Sequence, residues 1–173
     1  MFTDAIPCQD PGENNDYVKF KNKHILSYHF DTNSREDWAE YLTENRLCGT
    51  DRPPLQSFLS KNNEDRIKNI CNGEGIIYRH RFIDNLCISR EKFTVYTEQQ
   101  EEEPCEVETI DVIERYVVVA CNVVVNQCLP VHYQKQTNRP RKGQICRPPH
   151  IDDIMGTVGV KGIRSIGFSR VEK

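Results

Sequence analysis

Arg115–Gln134 reads RYVVVACNVVVNQCLPVHYQ, and the fold turns on how this stretch is read. From Tyr116 to Val125 every residue except Asn122 is β-branched, aromatic, Ala or Cys, with neither Gly nor Pro, which marks a strand buried on both faces. Asn126-Gln127 permits a reversal, and Leu129–Tyr133 then reads as a second strand that carries His132 among apolar neighbours. An imidazole fixed on a rigid strand suits general acid–base work, because it titrates near neutrality and is held in place. A histidine that merely packs is the competing reading.

Working outward, 173 residues accommodate one domain with a proper core plus appendages. A mean hydropathy of −0.67, with 28% charged residues and no run approaching twenty apolar ones, leaves no room for a membrane-spanning helix. The eight cysteines are widely spaced and form no CxxC pair, which argues for disulfides in an oxidising compartment over zinc ribbons or redox motifs. Met1–Asp4 shows neither a basic n-region nor an apolar h-region, so the expectation is a secreted protein whose signal is not visible in this chain. The net charge of −3 is unevenly spread: from Leu129 onward nine basic residues face three acidic ones, leaving the rest at −9. Such a body repels polyphosphates on average, so only a basic cleft or the tail would attract them.

Residues 1–15 read as a leader arm, 16–134 as the domain, and 135–173 as a basic, Pro- and Gly-bearing tail expected to be disordered or loosely docked. Asp16 is placed to cap a helix over Tyr17–Tyr28, in which Phe20 and His24 share a face. Ser34 is placed to cap a second helix through Trp38, Tyr41 and Leu42. Leu55–Leu59 reads as a strand, and Ser60 starts a third helix with Ile67 and Ile70 inward. The period then becomes two: Ile76–Ile83, Lys92–Thr97, Glu106–Ile113, Tyr116–Val125 and Cys128–Tyr133 are predicted strands, and Glu98–Pro104 an exposed charged loop. Helices followed by antiparallel strands predict an α+β domain.

Lys19-Phe20-x-x-x-His24-Ile25, Leu55-Gln56-Ser57-Phe58, Val119-Ala120-Cys121 and Pro130-Val131-His132-Tyr133, in this order and spacing, resemble the pancreatic-type ribonuclease (ribonuclease A) superfamily over about Asp16–Gln134. The resemblance implies three short helices on a bent, disulfide-linked antiparallel sheet. It also implies a metal-independent endoribonuclease, without cofactor, that cleaves single-stranded RNA after pyrimidines through a 2′,3′-cyclic phosphate. His24 would take the 2′-OH proton and His132 would give one to the departing 5′-oxygen. Ser57 would read the pyrimidine, with Phe58 supporting it from the core and Gln56 and Tyr133 beside it, and Lys19 and Lys23 would face phosphates. Cys71–Cys121 and Cys48–Cys105 are the bridges that match, while Cys8, Cys87, Cys128 and Cys146 have no counterpart.

The departures matter as much. Pro53 stands where the family's transition-state lysine belongs, with Arg52 as the nearest cation, and loss of such a clamp costs roughly 3 kcal/mol. Gln56 replaces an asparagine, and Gln134 an aspartate that orients the acid histidine. Trp38 and the Thr97–Gln99 region stand where a further bridge would be. The expectation is therefore a weakened enzyme, acting as a monomer on RNA with no obligate protein partner. Its basic tail would be free to touch RNA or an acidic membrane surface. The alternative is a catalytically inactive, ribonuclease-like binding protein in host defence, reproduction or cell-surface recognition. A metal site from Cys128, His132, Cys146 and His150 is a third, weaker reading. His29 and His80 read as surface residues, with Arg79-His80-Arg81 a small phosphate contact.

Overall fold

The computed structural model describes residues 7–49, 52–100 and 105–148. In chain order these form α1 (Asp16–His24), α2 (Arg35–Glu44), β1 (Leu55–Leu59), α3 (Glu64–Asn69), β2 (Gly75–Ile77), β3 (Leu86–Ser89), β4 (Phe93–Gln100), β5 (Val107–Val124), β6 (Gln127–Thr137) and β7 (Ile145–Cys146). The sheet is antiparallel, ordered β1-β4-β5-β3-β2-β7, with β6 paired to β5. This is the α+β architecture expected from helices followed by strands.

β5 is the spine. Its first half pairs with β4, and its second half lies between β3 and β6. Val117, Val119 and Cys121 enter the core that holds Phe20 and Ile67, while Val118 and Ala120 enter another with Tyr78, Leu86 and Ile88. Burial on both faces is why the valine run is unbroken. The two strands expected over 106–113 and 116–125 are this one strand, because Glu114 and Arg115 stay paired with Thr94 and Phe93. Val124 pairs with Gln127, so the reversal falls at Val125 and Asn126, one residue earlier than expected. Both have positive φ, 48° and 63°, as a two-residue type I′ turn requires.

Helix ends follow local chemistry. Ser34 accepts from the Asp37 amide at 3.1 Å, the cap expected for α2, and the helix buries Trp38, Tyr41 and Leu42. Asp16 is not the cap of α1: Asn15 holds that position, and the Asp16 carboxylate accepts from the Glu13 amide at 2.8 Å. α1 stops at His24, short of Tyr28, because Ile25 turns extended and the Leu26 amide donates to the Leu59 carbonyl at 2.9 Å. Gly75 opens β2 where a Cβ would lie 2.1 Å from the Ile70 carbonyl oxygen, so no larger residue fits.

Three expectations are corrected, over 76–89, from Glu98 and in the tail. The strand predicted over 76–83 ends at Ile77, since Arg79–Phe82 are exposed, and the fully buried Leu86–Ser89 forms a strand that was not expected. The charged run from Glu98 is not an exposed loop at its start: β4 continues to Gln100, and Glu98 is 0% exposed, while 101–104 lie outside the described residues. The leader arm is docked from Pro7 onward, with the Gly12 amide on the Val123 carbonyl at 2.7 Å. Finally, the first part of the expected disordered tail is ordered: β6 runs to Thr137, and β7 pairs with β2. Residues 149–173 lie outside the description.

All eight cysteines are paired, as Cys8–Cys128, Cys48–Cys105, Cys71–Cys121 and Cys87–Cys146. Cys71–Cys121 and Cys48–Cys105 are the two pairs implied by the resemblance. The other two fasten the arm through Cys8 and, in the segment expected to be loose, the chain beyond β6 through Cys146. Cys71, Cys121 and Cys128 converge within 4.8 Å, but as disulfides they offer no thiolate. The pairing of Cys128 and Cys146 likewise removes them from the metal reading, and His150 lies outside the described residues.

Candidate active site

His24 ends α1, where Phe20 anchors the helix in the core at 2% exposure. Its Nδ1 lies 3.0 Å from the Ser57 carbonyl on β1. A carbonyl oxygen only accepts, so Nδ1 carries the hydrogen and the lone pair of the neutral ring is on Nε2. The ring stacks on Tyr133 with centroids 5.0 Å apart and touches Phe20 at 5.5 Å. Burial pushes the His24 pKa down to about 4, the Ser57 contact offsets part of this, and the charges of His132 and Lys23 lower it further. His24 is therefore a neutral imidazole across the physiological range.

His132 stands on β6 opposite Ala120 and is exposed. The fold brings the two histidines close enough for the charge of one to act on the other, although 108 positions separate them in the chain (132 − 24). Tyr133, next on the strand, alternates to the His24 side. Its hydroxyl donates to Gln136 Oε1 at 2.6 Å, Gln136 Nε2 donates to Thr97 Oγ1 at 3.3 Å, and Thr97 Oγ1 meets Ser57 Oγ at 3.1 Å. Burial holds the Tyr133 phenol well above its ordinary range, so it stays a donor. These side chains join β1, β4 and β6 around His24 and satisfy one another.

Thr97 and Gln136 are members that sequence reading missed. Thr97 lies directly opposite Ser57 in the β1–β4 register, and Gln136 is three residues past Tyr133 on β6. The available signal was a polar position in each strand, visible only once the register is known.

The other candidates divide by where their strands point them. Ser57 faces the His24 side, but Gln56 faces the opposite side, is 8% exposed and donates to the Leu47 carbonyl at 2.8 Å. Phe58, 0% exposed, packs on Trp38 with centroids 5.4 Å apart. Both side chains are turned into the interior, where Phe58 lies behind Ser57. Arg52 donates from Nη2 to the Arg46 carbonyl at 3.4 Å, just past α2. Lys19 pairs with Glu13 at 3.5 Å on the surface, and Lys23 is exposed beside His24.

No protein-family profile matches the chain, and no curated protein sequence matches it. Among solved structures, a ribonuclease from green turtle egg white is similar at 20% identity and a TM-score of 0.56, covering 70% of this chain and 98% of that one. The likeness is one of fold: this chain has a ribonuclease A-like α+β fold built on four disulfides, a composition that fits a secreted protein.

Proposed function

We propose that this protein is a secreted endoribonuclease of reduced activity, which cleaves single-stranded RNA after pyrimidines without a metal. The observation that carries the reading is His24: its Nδ1 is tied to the Ser57 carbonyl, its Nε2 lone pair is available, and burial keeps it unprotonated at neutral pH. Such a nitrogen can accept the 2′-OH proton as that oxygen attacks phosphorus. His132, exposed and within reach of His24 by charge, would protonate the 5′-oxygen as its bond to phosphorus breaks. The products are a 2′,3′-cyclic phosphate and a free 5′-hydroxyl. Ser57, with Tyr133, Thr97 and Gln136 beside it, would seat the base.

Reduced activity follows from the missing lysine. Pro53 carries no charge, and the Arg52 guanidinium is engaged with Arg46, so neither position offers a free cation to the negative charge building on the phosphorane. That observation also favours the second reading, a ribonuclease-like protein that acts by binding alone. Incubation with UpA in the presence of a chelator separates the two. The enzyme reading expects uridine 2′,3′-cyclic phosphate, visible by phosphorus NMR. Intact dinucleotide after prolonged incubation at pH 5 to 8 would leave the binding reading.

A further inference from the structure

The described segments 78–85 and 135–148 carry Arg79, Arg81, Lys135, Arg139, Arg141, Lys142 and Arg147 against one acidic residue, Asp84. They are distant in the chain, yet they are fastened together. Cys146 is bonded to Cys87, Ile76 pairs with Ile145, and the Ile77 amide donates to the Gln144 carbonyl at 2.9 Å. At the junction Tyr78 takes two cations on its ring, with Lys135 Nζ at 5.2 Å and the Arg141 guanidinium at 4.8 Å from the centroid. Among the described residues, Arg139, Arg141 and Lys142 are not ion-paired with any carboxylate.

Two further features give this face a direction and a ligand chemistry. Lys135 is registered opposite Val118 and His132 opposite Ala120, and both partners belong to the core that holds Tyr78. His132, Lys135 and Tyr78 thus share one side of the sheet, and the cations lie on the side that carries His132. On the adjoining loop Phe82 is 86% exposed, flanked by Arg81 and by His80, whose ring is 6.3 Å away. An isolated exposed aromatic among cations suits a stacked base between phosphates, and one such ring is too little apolar surface to seat in a bilayer.

We propose that the strap Arg139–Arg147 and the loop Arg79–Phe82 form a binding track for single-stranded nucleic acid, running away from His132, with the strap's cations on phosphates and Phe82 under an unpaired base. The track meets phosphates and a base face and does not depend on a 2′-OH, so it accepts deoxy strands as well. It deepens the ribonuclease reading and rests on that reading only for the path of a substrate beyond the cleaved bond.

A fluorescein-labelled oligodeoxythymidylate of about twelve nucleotides, within the usual span of single-strand grooves, is the probe, with anisotropy as the readout over a salt series. It cannot be cleaved by 2′-OH attack. A protein without ribonuclease activity can therefore still bind it, and failure to bind leaves the imidazole chemistry untouched. The triple variant R139Q/R141Q/K142Q is expected to flatten the slope of log K against log salt by about 2, at roughly 0.7 for each phosphate no longer neutralised. Phe82→Ser is expected to weaken binding roughly tenfold with the slope unchanged. R139K/R141K, which keeps the charge, should retain the wild-type slope. An unchanged slope and affinity in the triple variant overturns the proposal, and so does a charge-keeping variant that loses binding equally. If the triple variant keeps its affinity for the strand and loses affinity for phosphatidylserine vesicles, the face belongs to membranes and the proposal fails.

Discussion

Two neighbouring register pairs across β1 and β4 face opposite ways and have opposite fates. Ser57 and Thr97 turn toward His24, where each hydroxyl has a partner. Gln56 and Glu98, one step along, turn under α2, where Glu98 is 0% exposed and only one of its carboxylate oxygens is partnered, by Gln100 Nε2 at 3.1 Å. Both faces are polar in sequence. The difference shows that a polar side chain stabilises a fold when its whole hydrogen-bonding capacity is met, and costs stability when it is buried with a lone pair left over. The same burial that suits His24, by keeping it neutral, works against Glu98, whose pKa is pushed up to about 7.

Breaking the His24 side should have the largest effect. His24→Ala and His132→Ala are each expected to lower UpA cleavage by about 10²–10⁴-fold, with thermal unfolding little changed for the exposed His132. Second in size is the Glu98 side. The folded chain holds the Glu98 proton up to about pH 7 and the unfolded chain releases it near 4.5, so this contribution to stability is full below 4.5 and is lost as pH rises through 7. Glu98→Gln should therefore flatten the pH dependence of denaturant unfolding and raise stability at pH 8 by about 3 kcal/mol, at 1.36 kcal/mol per pKa unit.

The paired substitutions Gln56→Ala and Ser57→Ala sharpen the contrast further. Gln56→Ala should cost about 1–2 kcal/mol in urea unfolding through its lost bond to Leu47 and leave cleavage within twofold. Ser57→Ala should do the reverse, lowering kcat/KM roughly fivefold while stability stays within about 0.5 kcal/mol, since Thr97 keeps Gln136. The smallest effect lies away from both faces. Val125 is a β-branched residue at φ 48°, and Val125→Asn should stabilise the β5–β6 turn by about 1 kcal/mol.

What the sequence made legible follows from local physics. The β5–β6 pairing came from an unbroken apolar run, the α2 start from a Ser three residues before an acidic residue, and the α+β class from the order of the elements. His24, His132, Ser57 and Tyr133 were nameable because each sits within a short recognisable fragment. Which way a polar residue faces was not legible, because it depends on register with a strand far away in sequence. Gln56 therefore read as a ligand contact, Glu98 as solvated charge, Thr97 as a strand end beside a missing bridge, and Gln136 as part of the tail. The ordered strap after Thr137 was hidden for the same reason: its composition is that of a tail, and it is held to the sheet by Cys87, 59 positions before Cys146, and by pairing with β2.

The central claim, that α1 and the β5–β6 hairpin bring two imidazoles within electrostatic reach and bury one of them, is tested most directly by titrating His24 in the wild type and in His132→Ala by NMR. The expected result is a midpoint near pH 4 that moves upward when the His132 charge is removed. A midpoint near the ordinary histidine value of 6.5 that does not respond to His132→Ala would contradict the claim.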